Sequence, residues 1–104
     1  MTNSFRVTPW EAANAPTEDL LQEIMEKQGY NSYSWSNGPY DVYSPHKHNY
    51  DKVIYVVSGS ITIGLPLLKM QITLNPGDRL DLQAGTVHDA HVGPNGVVCL
   101  EGHL

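Results

Sequence analysis

Residues 46–88, HKHNYDKVIYVVSGSITIGLPLLKMQITLNPGDRLDLQAGTVH, decide how this chain is read. Lys52 to Val57 is a β-branched and aromatic run, Ser58-Gly59 interrupts it, and Ile61-Thr62-Ile63 follows, so a hairpin is expected across the interruption. Lys69 to Leu74 alternates around Met70, Ile72 and Leu74, which reads as a strand whose apolar residues, Met70 included, fill the core. Asn75-Pro76-Gly77-Asp78 is a strong turn, with Asp78 as its cap. Leu80 to Leu82 is the next short strand, and Ala84-Gly85 allows a tight turn into the one that begins near Thr86. His46-x-His48 opens this stretch and His88 closes it.

The pattern continues on both sides. Upstream, Tyr33-Ser34-Trp35-Ser36 alternates, Asn37-Gly38-Pro39 breaks it, and Tyr40 to Tyr43 is a further strand ended by Ser44-Pro45. Downstream, Thr86 to Val92 and Gly96 to Leu100 complete a set of about eight short strands. So many strands at such even spacing predict a closed or sandwich-like antiparallel barrel. Before them, Thr17 to about Gln28 changes period. Thr17 is an N-cap, Glu18 and Asp19 occupy the first turn, Lys27 the last, and Leu20, Leu21, Ile24 and Met25 make one apolar stripe that Gly29 stops. Residues 1–16 are read as an arm or an added strand.

Composition bounds the function. With 104 residues, 40% apolar and 16% charged, the chain is globular and of one-domain size, able to bury roughly two thirds of its unfolded surface. Six Lys plus Arg against eleven Asp plus Glu leave a net charge of −5 with no basic run, so no nucleic acid partner is expected. No apolar run approaches the roughly 20 residues of a spanning helix, so no membrane partner is expected either. Met1 to Trp10 lacks the apolar segment of a signal peptide, and the lone Cys99, placed on a buried strand, cannot close an internal disulfide. A cytoplasmic location is the expectation.

The histidines carry the chemistry. In an extended backbone His46 and His48 point to one face, and neutral imidazoles side by side can grip one ion. His88, presented after Gly85, is the candidate third ligand. His91 falls on the opposite face of a regular strand and reads as structural, and His103 reads as part of a terminal tail. Tyr33, Trp35, Tyr40, Tyr43, Tyr50, Tyr55 and Trp10 read mostly as core or interface residues, with Tyr50 placed to reach an opening. The faces of Asp81 and Asp89 are open.

From about Tyr40 to Gly102 this order of motifs resembles the cupin family of small antiparallel β-barrels, whose motifs read G(x)5HxH(x)3–4E(x)6G and G(x)5PxG(x)2H(x)3N. His46, His48 and Gly59 match the first; Gly77, Gly85 and His88 match the second. Tyr40 replaces the leading Gly, Gln83 the Pro, Val92 the Asn, and Lys52 the Glu. The resemblance implies an all-β cupin barrel of the double-stranded β-helix or jelly-roll type with one N-terminal α-helix. It implies a single domain over 1–104, with arm and helix in 1–30 and barrel in 31–104. It also implies a homodimer acting on a small-molecule ligand or substrate, with one divalent metal (iron, manganese, nickel or zinc) on His46, His48 and His88.

The family's Glu is a metal ligand, and here Lys52 stands in its place. An ammonium about 4 Å from a divalent ion is repelled by roughly 8 kcal/mol at an effective dielectric of about 20. Three arrangements follow. Lys52 turns away and leaves a three-His centre, which resembles that of the cysteine dioxygenase group; Asp51 takes the carboxylate's place through a bulge; or the barrel is metal-free, with Lys52 as an anion-binding or salt-bridging residue. The functional expectation is a metal-dependent, dioxygenase- or isomerase-like protein acting on a small polar metabolite, with Lys52 and Tyr50 as catalytic candidates. The alternative is a non-catalytic pocket that binds a small anion through Lys52.

Overall fold

A computed structural model describes residues 5–103. Seven strands and one α-helix are arranged as β1 (Phe5–Thr8), α1 (Glu18–Lys27), β2 (Asn31–Asn37), β3 (Val42–His46), β4 (Lys52–Leu65), β5 (Met70–Leu74), β6 (Arg79–Leu82) and β7 (His88–His103). A single 3-10 turn, Pro66–Leu68, links β4 to β5. All strand pairings are antiparallel. The expected arm is an added strand: β1 pairs β6 at the sheet edge. Its first residues, Met1 to Ser4, lie outside the described residues.

Two long strands make the architecture. The first half of β4 pairs β6 and the second half of β7, while its last residues pair β5 and the first half of β7. Adding the edges yields one layer ordered β1-β6-β4-β7-β2 and a second made by β5, β4, β7 and β3. The expected hairpin at Ser58-Gly59 does not form, because the ladder shifts register between Val56 and Ser58 and again between Gly59 and Ile61. These bulges bend the strand without reversing it. Gly59, at φ +75, makes this possible: a Cβ there would stand 2.0 Å from the carbonyl oxygen of Gly96, itself at φ +74. The two strands expected over 86–92 and 96–100 are accordingly one bent strand, β7.

β3 also differs from expectation. Tyr40, at φ 63, remains in the preceding turn, and the strand runs through Pro45 to His46. β3 pairs only with β7, and its register skips from Tyr43 to His46, so the N–H that Pro45 lacks is not required.

The core lies between the layers and contains Ile54, Val56, Ile61, Ile63, Leu65, Leu74, Leu80, Leu82, Val92, Val97 and Cys99. Met70, at the start of edge strand β5, is 44% exposed and does not contribute to it. A second cluster on the outer face seats α1: Leu21 and Met25, both fully buried, meet Val53, Tyr55 and Leu100. The helix begins as expected, with the Thr17 hydroxyl accepting from the Leu20 N–H at 3.2 Å, although Leu20 itself is 40% exposed. Gly102 allows the close approach, since a Cβ there would stand 2.7 Å from Met25 Cε. Asp78 caps the turn before β6 by accepting from Asn75 and Trp10 N–H groups, and the Trp10 ring lies over Gly77. Among the described residues no helix is long and apolar enough to cross a membrane.

Candidate functional site

The register of β4 decides which side chains enter the barrel. Ile54 and Val56 belong to the inner core, whereas Val53 and Tyr55 face the helix, so Lys52 points inward. Across the ladder Lys52 stands opposite His103, and the same alternation puts Cys99, Glu101 and His103 on the inner face of β7. The first residue of β7, His88, pairs with the last residue of β3, His46. One polar end of the barrel thus collects side chains from β2, β3, β4, β7 and the 47–51 loop.

His46, His48 and His88 come together as expected. Their ring centroids are 4.9, 4.3 and 5.4 Å apart, and one ring nitrogen from each lies within 4.8 Å of the others. His46 Nδ1–H donates to the Ser44 carbonyl at 2.7 Å and His88 Nδ1–H to the Thr86 carbonyl at 2.9 Å. A carbonyl only accepts, so both rings carry their proton on Nδ1 and keep a lone pair on Nε2. His48 Nδ1 lies 3.2 Å from the Tyr50 hydroxyl, and a hydroxyl that accepts there gives the third ring the same tautomer. His88 Nε2 is buried and has no hydrogen-bond partner. Burial holds the His88 imidazole below its ordinary pKa, as it does for His48, and nearby Lys52 and His46 push both the same way. A neutral imidazole with an uncommitted nitrogen is the form that ligates a metal, and burial favours that form at His48 and His88, so this cluster fits one.

Lys52 does not stand as a bare charge. It is 8% exposed, and its Nζ lies 3.8 Å from Glu101 Oε1. Glu101, 6% exposed, is the hub of this half of the site. It accepts from the Tyr33 hydroxyl at 2.7 Å, Trp35 Nε1 at 3.2 Å and His103 Nε2 at 2.8 Å. Burial opposes its charge, but the hydrogen bonds from Tyr33 and His103 and the charge of Lys52 prevail and hold the carboxyl below its usual range. Burial lowers the Lys52 pKa, with Glu101 opposing. The Lys52–Glu101 pair is net neutral, which removes most of the repulsion an isolated ammonium would exert on a cation beside it.

The remaining assignments resolve by face. Asp51 does not take the carboxylate's place: it is exposed and accepts from the Ala84 N–H at 2.7 Å, outside the histidine cluster. Asp81 pairs with Arg79 through two hydrogen bonds of 2.9 Å. Asp89 lines an outer groove with Lys69 and Gln71. His91 is exposed on the opposite face, as expected, and Cys99 is fully buried, with burial pushing its thiol up to about 12. His103 is no tail residue. It ends β7, bonds Glu101 and lies 4.2 Å, ring to ring, from Tyr50, which in turn stacks on His48 at 5.1 Å. Sequence reading missed Glu101 and His103; the alternation Cys99-x-Glu101-x-His103 was visible, but only pairing with β4 shows that it faces inward.

No protein-family model and no curated protein matches the chain. Solved structures do. A cupin-2 domain protein from Shewanella frigidimarina is 19% identical at a TM-score of 0.59, over 69% of this chain and 67% of that one. KdgF from a Halomonas species is 18% identical at 0.60, over 98% and 82%. The polyketide cyclase RemF from Streptomyces resistomycificus is 24% identical at 0.64, over 71% of this chain and 54% of that one, so the match spans about half of RemF. The chain has the cupin fold, the double-stranded β-helix that these and further matches share.

Proposed function

We propose that this chain holds one divalent metal ion on His46, His48 and His88 and acts on a small polar metabolite in the manner of a dioxygenase or isomerase. The observation that carries the reading is the buried, unpartnered Nε2 of His88 beside two further imidazoles. An orphaned buried acceptor costs about 1–3 kcal/mol, and a ligated ion is what relieves that cost here. When bound, such an ion supplies Lewis acidity at positions left open by three protein ligands.

The chain's own residues do the rest. Ser44 and Thr86 carbonyls lock two imidazole tautomers, and Tyr50 orients the third. Glu101 neutralises Lys52, so that the family's missing carboxylate is answered by a charge pair and not by a naked ammonium. The Lys52 ammonium, already committed to Glu101, gives a free anion a weaker claim on it. Tyr33, Trp35, Tyr43 and Tyr50 supply aromatic walls on the same side.

Elemental mass spectrometry on untagged protein purified without chelator tests this. Near-stoichiometric iron, manganese, nickel or zinc that is lost in His88→Ala is the expected result. A chain that takes up none of these ions after incubation with each would overturn it.

A further inference from the structure

We propose that His103, oriented by Glu101, is the base of this site and removes a proton from the carbon beside the carbonyl of a small α-oxo acid anion held at the three histidines. The inference rests on the metal reading above and names a substrate class and a catalytic residue for it.

The geometry is that of an imidazole oriented by a buried carboxylate. Glu101 and His103 stand two apart on the inner face of β7, with Nε2 and Oε2 separated by 2.8 Å. An ionised carboxylate only accepts, so His103 Nε2 carries a proton toward Glu101, and Nδ1 is the ring nitrogen not committed to it. The Glu101 side chain is buried and that of His103 is 31% exposed, so the orienting group is enclosed and the reactive one is reachable. Tyr50 stacks on His48 and meets the His103 ring at a tilt, 4.2 Å between centroids, which places the base one ring away from the histidine cluster. The groups facing His103 are Lys52 from β4, Tyr33 from β2, Tyr50 and His48 from the 47–51 loop and Glu101 on its own strand. Lys52 and Glu101 cancel in charge, and burial disfavours charge on His48, so none of these leaves a net charge to compete with the base.

Charge accounting selects the substrate. Three neutral imidazoles and a neutral ion pair compensate none of a divalent cation's charge. An anion that offers two adjacent oxygens, a carboxylate and the neighbouring carbonyl, answers both the charge and the open positions. The step is balanced without any oxidant: the C–H bond breaks, its electron pair forms the enolate with charge on the carbonyl oxygen, and the proton moves to His103 Nδ1. Return of that proton, or of a solvent deuteron after exchange, regenerates the acid.

Pyruvate in D2O with the zinc-loaded chain is the probe, and loss of its methyl signal by proton NMR is the readout. We expect exchange above the buffer rate, slowed by about a hundredfold in His103→Asn and unchanged in His91→Asn, with zinc content equal in all three. Nitrogen-15 shifts of the zinc-free protein are a second readout: His103 should show Nδ1 unprotonated and Nε2 protonated, a preference lost in Glu101→Gln. Bound zinc without exchange, bound zinc with exchange indifferent to His103→Asn, or a His103 protonated at Nδ1 overturns the base assignment and leaves the metal reading standing. A chain that takes up no zinc overturns both.

Discussion

Glu101→Gln tests the electrostatic account of the barrel interior. The substitution keeps the shape and an oxygen able to accept from Trp35, while Tyr33 and His103 can each turn to accept from the new amide. What it removes is the charge opposite Lys52, whose side chain is 8% exposed. Breaking a buried pair by deleting one partner costs about 3–5 kcal/mol, because the other charge is left uncompensated. At about 4 °C or more per kcal/mol for a domain of this size, the melting temperature should fall by about 12 °C or more. Lys52→Met in the same background removes the stranded ammonium and keeps its apolar stem, so the double variant should recover about 2 kcal/mol or more of the loss. Urea titrations of wild type, both single variants and the double variant give the coupling energy directly. If Glu101→Gln lies within about 1 kcal/mol of wild type, Lys52 is not charged and buried as argued, and the charge balance drawn beside the histidine cluster is wrong.

Other expectations follow from the same contacts. Lys52→Met alone leaves Glu101 as a net negative charge beside the histidines, so the apparent zinc affinity should rise by about tenfold or more in calorimetry; an unchanged affinity would place Lys52 outside the site's field. Stability should fall on acidification in two stages. His48 and His88, held below their ordinary value of about 6.5, bind protons more readily once unfolded, so the metal-free protein loses stability as pH drops through that value. Glu101, also depressed, contributes stability above about pH 4.3 that disappears below it, and Glu101→Gln should erase this lower limb alone in urea midpoints measured against pH. Gly59→Ala would drive a methyl to 2.0 Å from the Gly96 carbonyl oxygen at a positive φ. A loss of about 2 kcal/mol or more is expected, and a neutral result would mean that β4 and β7 do not bend against each other there.

Much of this protein was legible in its sequence because the signals were local. The helix cap at Thr17, the Pro76-Gly77 turn and the short β-rich runs report backbone preferences that act over a few residues. The spacing of His46, His48 and His88 around them announced the cluster that the structure brings together. Strand continuity was not legible. Ser58-Gly59 looks like a reversal, and only the partner glycine, Gly96, makes it a bulge in a strand that runs on.

The sequence by itself determined the all-β architecture, the single helix and the three-histidine constellation, since each is written in spacing and residue type. Tertiary structure alone decided what balances Lys52. Its partner, Glu101, stands at the far end of the chain and meets it only through the β4–β7 ladder, where a shift of one residue would turn Glu101, His103 or Lys52 to the outer face. Burial then makes that meeting decisive, because two charges withdrawn from water must find each other or be lost.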